Sequence, residues 1–295
     1  MWFYLLACGG GIDTSDSFDT SVTVTDDTGV VMETSLSNQY GWISTETGVA
    51  TGAAFADVDG DGYQELIVSY GNDIQRGPIA VHDNSEGELE RSASWTSDNH
   101  HYHGKLDVGD VNRDGLVDLV VSRFLGDAGF SEPGGVDLYI NQGGYFESTP
   151  SWSYSGVYTF SLALGDVDLD GDLDLAVAVG ESYYNAPDRS LLFENSGSSF
   201  ASEPMWETES DRHSFDVSWA DFNGDGMLDL AFANGGSGHT IYYNQGGVFG
   251  ESPDWEASGD PESFEGNSLA WGDINGDNVL DLVVTENMQQ GGSGE

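Results

Sequence analysis

An all-β fold made of one repeated unit is the architecture this 295-residue sequence predicts, and three observations predict it. A short acidic segment recurs five times: DVDGDGYQE at Asp57–Glu65, DVNRDGLVD at Asp110–Asp118, DVDLDGDLD at Asp166–Asp174, DFNGDGMLD at Asp221–Asp229 and DINGDNVLD at Asp273–Asp281. The starts lie 53, 56, 55 and 52 residues apart, the near-fixed period of a repeat protein. Each segment runs into an apolar stretch such as Leu119–Val121 or Leu175–Val179, the pattern of a strand buried on both faces. Finally, 41 glycines against 7 prolines imply many tight turns, and no stretch shows helical periodicity. About four short strands per period is the arithmetic of a β-propeller blade.

Taken in order, the chain opens MWFYLLAC and then runs through glycine, serine, threonine and aspartate to about residue 20. Leu5–Cys8 resembles the lipobox of bacterial lipoproteins, in which signal cleavage leaves the cysteine as a lipidated first residue. That makes 1–20 a signal remnant and flexible tether and 21–295 the propeller. Only seven residues precede Cys8 and none is basic, which a start codon assigned too late explains. Residues 21–32 then form a hairpin pattern with no acidic segment before it. A tryptophan precedes every acidic segment (Trp42, Trp95, Trp152, Trp206 and Trp255), and recurrence at one place in each unit assigns these rings to packing. Leu138–Phe146, Leu191–Gly197 and Ile241–Phe249 carry Asn-Gln-Gly-Gly or Asn-Ser-Gly hairpin signals. The fifth acidic segment is followed by one strand only. The N-terminal hairpin therefore completes the last blade and closes a ring of five; the alternative is an incomplete seven-bladed ring.

Each acidic segment places side-chain oxygens at its positions 1, 3, 5 and 9. These are Asp57, Asp59, Asp61 and Glu65; Asp110, Asn112, Asp114 and Asp118; Asp166, Asp168, Asp170 and Asp174; Asp221, Asn223, Asp225 and Asp229; and Asp273, Asn275, Asp277 and Asp281. Position 6, Gly62, Gly115, Gly171, Gly226 or Asn278, turns the chain sharply. The position-7 carbonyls of Tyr63, Leu116, Asp172, Met227 and Val279 add a further oxygen. Carboxylates crowded in this way repel by about 4 kcal/mol per pair at about 4 Å. A hard divalent cation relieves that repulsion, and calcium tolerates irregular oxygen cages better than magnesium. About five structural Ca2+ ions follow. An EF-hand is excluded, because its position-12 glutamate is replaced by Val68, Val121, Val177, Phe232 and Val284, all inside apolar strands.

On these residues the chain resembles the FG-GAP/VCBS repeats and the calcium loops of integrin α-subunit propellers, over about residues 21–286. The resemblance implies a β-propeller with calcium along one rim, working in adhesion or ligand binding. Five units rather than seven blades, and Asn278 in place of glycine, depart from the integrin pattern.

Composition narrows the partners. With 52 Asp+Glu against 7 Lys+Arg, the net charge of −45 repels nucleic acid and anionic membranes, so membrane attachment comes only through a lipid at Cys8. One cysteine excludes internal disulfides and cysteine-based zinc sites. The expected protein is a non-enzymatic, calcium-stabilised module that binds an extracellular protein or glycan, at the bacterial surface or secreted. The alternative is a glycoside-processing enzyme with channel carboxylates, for which Asp107 and Asp216 are the candidates. His100, Tyr102, His101 and His103 form the one histidine cluster, a candidate second metal site. Tyr183 and Tyr184 join Tyr102 as candidate ligand contacts.

Overall fold

The computed structural model describes residues 21–25, 31–35, 42–181, 185–259 and 266–286; Cys8, the 1–20 tether, Tyr183 and Tyr184 lie outside them. By contacts the chain divides into Met1–Ile43 and Ser44–Glu295. In the first unit, Ser21–Thr25 pairs antiparallel with Val31–Ser35, the hairpin expected from the sequence.

The second unit is all-β, with no helix among the described residues, and contains four four-stranded antiparallel sheets; three are simple meanders, and in the first a small hairpin, Asn84–Ser85 with Glu88–Leu89, comes between the third and fourth strands. The first sheet is Ala50–Ala56, Glu65–Gly71, Arg76–His82 and Trp95–Thr96. The second is Tyr102–Gly109, Asp118–Gly126, Gly129–Tyr139 and Trp152–Val157. The third is Ser161–Gly165, Asp174–Ala178, Leu191–Phe193 and Trp206–Glu207. The fourth is His213–Ala220, Asp229–Gly235, Thr240–Tyr242 and Trp255–Glu256. A fifth sheet has two described strands, Gly266–Gly272 and Asp281–Glu286. The first strands of successive sheets lie against one another, the arrangement of propeller-like blades.

Register explains why the acidic segments are equivalent. The pairs Ala56↔Glu65, Gly109↔Asp118, Gly165↔Asp174, Ala220↔Asp229 and Gly272↔Asp281 end the first strand and begin the second. Every acidic segment is therefore the same connection, at the same end of its sheet. The second strands of sheets one, three and four are buried along their whole length, as continuous apolar runs require.

Apolar packing lies between sheets. Ile67, Ile79 and Val81 of the first sheet meet Leu119, Val121 and Tyr139 of the second. Val120, Val136 and Leu138 meet Leu175, Val177 and Phe193, and Ala176 and Leu192 meet Leu230, Phe232 and Tyr242. The recurring tryptophans act here. Trp95 sets its ring edge-on to Phe146 of the next sheet at 5.6 Å, Trp152 to Phe200 at 5.2 Å, and Trp206 to Tyr242 at 5.0 Å. Trp255 has no third strand of a fifth sheet to meet among the described residues, and it is 44% exposed. Position 2 of the acidic segments repeats the pattern. Val58, Val111 and Val167 are buried, whereas Ile274 is 70% exposed.

One local expectation changes. The Asn-Gln-Gly-Gly stretches do not form complete two-stranded hairpins. In Leu138–Phe146 the third strand stops at Tyr139, a single bridge joins Asn141 to Phe146, and the fourth strand starts at Trp152. The asparagine side chain is needed elsewhere, and that need ends the ladder.

Candidate metal loops

The five acidic loops are one hydrogen-bonded scaffold repeated. In each, the position-6 amide donates to Oδ2 of the position-1 aspartate, at 3.1, 2.9, 3.0, 3.0 and 2.8 Å in chain order. The position-7 amide donates to the position-5 aspartate at 2.8, 2.9, 2.8, 3.0 and 2.9 Å. The position-2 amide donates back to the position-9 carboxylate at 2.7, 2.9, 3.0, 3.1 and 2.9 Å. Position 6 is left-handed throughout, with φ of 92°, 88°, 90° and 90° at the four glycines and 65° at Asn278. Asparagine tolerates that region, so the fifth loop makes the same turn.

This scaffold gathers acceptors without neutralising them. Asp57, Asp59 and Asp61 bring carboxylate oxygens within 4.8 Å of one another, as do Asp166, Asp168 and Asp174. Asn112, Asn223 and Asn275 replace the position-3 carboxylate in the other loops. Asp166 Oδ1 is buried without a hydrogen-bond partner, an acceptor that water does not reach and that a cation in the loop would satisfy. Burial pushes the Asp174 carboxyl up to about 6, with Asp168 and Asp170 adding to the rise. It also raises Glu65, Asp118 and Asp229. Asp273, at the surface, is lowered by the amides that donate to it, Asn278 first. The donor set is oxygen-rich, anionic and crowded, and it fits a hard divalent ion.

Position 9 does more than the sequence suggests. Asp118, Asp174 and Asp229 also accept the backbone amides of Asn141, Asn195 and Asn244, at 2.9, 2.8 and 2.8 Å. Each of these asparagines donates Nδ2 to a position-8 carbonyl of its own repeat, Val117, Leu173 or Leu228, at 3.1 Å. Each also donates to the position-2 carbonyl of the preceding loop: Val58 at 2.8 Å, Val111 at 2.8 Å and Val167 at 2.6 Å. One side chain thus backs two acidic loops. The signal in the sequence is the asparagine of the Asn-Gln-Gly-Gly and Asn-Ser-Gly motifs, legible there only as a turn residue. Asn195→Ala should destabilise the protein by about 2 kcal/mol in urea unfolding, because it strands two buried carbonyls; a loss below about 0.5 kcal/mol would contradict the clasp.

The candidate channel carboxylates are engaged in structure. The residue five before each acidic loop is Gly52, Lys105, Ser161, Asp216 or Ser268, all on first strands. Asp216 is buried and accepts Ser161 Oγ, the amides of Val217 (3.0 Å) and Leu269 (2.7 Å), and Lys105 Nζ at 2.7 Å. Lys105, the one lysine of the chain, also reaches Ser268 Oγ at 3.5 Å. Asp107 accepts the amides of Val108 and Leu164, both at 2.9 Å. Burial raises its carboxyl despite those amides.

The histidine cluster is not arranged as a metal site. His101 and His103 meet edge to face with centroids 5.7 Å apart, and neither belongs to a group of three close metal-binding side chains among the described residues. Tyr102 lies under the Arg76 guanidinium, 5.1 Å from the ring centroid. Burial, and then His101 beside it, hold His103 neutral with a pKa of about 3. Below about pH 6.5 the unfolded chain takes up a proton here that the folded chain refuses, so stability falls as pH drops towards 3. Against a His103→Leu variant, the native protein should lose about 2 kcal/mol between pH 7 and pH 5. Parallel pH–stability curves for the two would remove this account.

The comparisons follow from this geometry. In five sheets of this all-β chain an acidic, oxygen-lined loop opens the second strand. The FG-GAP-like repeat family matches residues 57–121 and 221–284, and the chain carries FG-GAP-like repeats over those stretches. No curated protein sequence matches the chain. Among solved structures it is similar to the Bacillus licheniformis rhamnogalacturonan lyase PL11, at 14% identity and TM-score 0.49, over 91% of this chain and 50% of that one. It is also similar to an Agrocybe aegerita lectin that recognises non-reducing terminal N-acetylglucosamine, at 18% identity and TM-score 0.47, over 90% and 68%. A third is BBS1N, solved in complex with ARL6DN, at 9% identity and TM-score 0.45, over 70% and 57%. The chain thus spans half the length of the lyase and little more than half that of BBS1N.

Proposed function

We propose that the protein is a calcium-stapled, five-bladed β-propeller that binds an extracellular protein or glycan without transforming it. The observation that carries this reading is the five-fold repetition of one anionic loop scaffold, with Asp166 Oδ1 buried and unpartnered. Ions in every blade serve stability rather than chemistry. Asp107 accepts two backbone amides and Asp216 four donors, the chain's one lysine among them, which favours binding over glycoside cleavage at those two residues. Lys105 belongs to the second blade yet touches the fourth and fifth, which suits a ring of five with a narrow axis. Cys8 carries a lipid that tethers the module to the bacterial surface.

Calcium titration of the full chain by calorimetry tests the core of this reading, with about five ions expected. No binding would reduce the loops to ordinary acidic turns. Protein and glycan screens in calcium buffer and in chelator then look for a ligand held only in calcium, and turnover of a glycan in those screens would overturn the non-enzymatic reading. Cys8→Ser should release the precursor from the membrane, and unchanged attachment would remove the anchor.

A further inference from the structure

We infer that Arg113 couples the second acidic loop to the third, so that an ion in one raises the affinity of the other. This inference rests on the calcium reading above and concerns a residue that the repeat pattern leaves free. Position 4 of the loops is Gly60, Arg113, Leu169, Gly224 or Gly276, and all five are left-handed, with φ of 79°, 60°, 63°, 76° and 78°. Arginine at such a φ is strained relative to glycine, a cost that its long side chain can offset by contacts outside its own loop.

The compensation lies in the next loop. Arg113 Nε donates to the Gly171 carbonyl at 3.1 Å, and its terminal nitrogen donates to the Asp170 carbonyl at 2.6 Å. The guanidinium is ion-paired with the buried Asp172 carboxylate, and it comes within 4.0 Å of Asp170 Oδ1. One fork therefore grips positions 5, 6 and 7 of the third loop, the segment that turns around the candidate ion. A second tie runs the other way: Asn195, from the third repeat, holds the position-2 carbonyl of the second loop while its amide binds Asp174. Loops two and three are thus bound together in both directions. Loops one and two share the Asn141 tie alone, because Gly60 has no side chain to extend.

Coupling follows from preorganisation. The fork fits only while the backbone at Arg113 stays left-handed, and an ion held by Asp110, Asp114 and Asp118 fixes that backbone. An ion in the second loop then meets part of the ordering cost of the third, and the reverse holds by linkage. The arginine's charge is present whether the second loop is full or empty, so its repulsion of the neighbouring ion cancels from the coupling.

The test follows the two loops separately by amide NMR of the full chain. The Gly115 and Gly171 amides donate to Asp110 and Asp166 and report one loop each. Asp114→Asn, which weakens the second loop, should raise the calcium concentration at the Gly171 midpoint by about fivefold. Arg113→Gly places there the residue that three sister loops already carry, so the fold is retained. In that background Asp114→Asn should leave the Gly171 midpoint in place. The Gly226 midpoint, in the fourth loop, should not respond in either background. A shift of Gly171 that is equal in both backgrounds, or absent from both, overturns the coupling. Glycine amides that ignore calcium in the unmutated chain overturn the calcium reading itself, and the coupling with it.

Discussion

Chelating calcium should lower the melting temperature by about 15–25 °C. Extracellular calcium modules bind with Kd of about 0.1–1 mM, and a site with calcium at ten times Kd gains about 1.4 kcal/mol. Five such sites give about 7 kcal/mol, as much as the whole stability of many domains. At about 2–4 °C per kcal/mol for a chain of this size, the shift is large. Its source is visible in the loops. Without an ion, Asp57, Asp59 and Asp61 repel one another, and so do Asp166, Asp168 and Asp174 around an unpaired buried oxygen. These two loops carry four side-chain carboxylates at positions 1, 3, 5 and 9, whereas the others carry three and an asparagine, so they should fill first in a titration. Magnesium at the same concentration should recover only a small part of the shift. Differential scanning calorimetry in calcium, magnesium and chelator decides the matter, and three coincident curves would sink the metal role.

Lys105→Ala should destabilise the protein by about 3 kcal/mol with calcium present. The substitution leaves Asp216 buried with its neutral donors, Ser161 Oγ and two amides, but with no cation. Breaking a buried pair at one partner costs about 3–5 kcal/mol, and the partial exposure of the lysine puts this site at the lower end. Replacing both partners, Lys105→Met with Asp216→Leu, should recover most of the loss, because two apolar groups need neither cation nor anion. Urea unfolding of the single and double variants measures this. A single variant within 0.5 kcal/mol of native would mean that the lysine does not hold the centre together.

Much of the fold was legible because its information is local and repeated. The acidic segments fix a sharp turn at position 6 and begin a buried strand at position 9, both properties of a few adjacent residues. Their recurrence at one period sets the number of sheets without any long-range contact being known. The tryptophans were legible as packing residues for the same reason, and Trp95, Trp152 and Trp206 meet the aromatic rings of the following sheet. The turn at Asn278 was harder, since asparagine tolerates the left-handed region without requiring it; there the hydrogen bond to Asp273 is what marks the turn.

The residues that could not be read are those whose partners come from another repeat. Asn141, Asn195 and Asn244 look like turn residues because a turn needs asparagine only for its backbone, and their second partners lie more than 75 residues away in sequence. Asp107 and Asp216 looked available for chemistry because an acid-rich sequence does not show which carboxylates are already bonded. Sequence by itself determined the all-β class, the repeat, the position of every acidic loop and the chemistry of its oxygens, since each depends on spacing within a few residues. Tertiary structure alone decided which side chains tie one loop to the next, that Lys105 meets Asp216, and that Arg113 grips the third loop. Those pairings depend on how sheets pack side by side, and that distance is encoded in no single repeat.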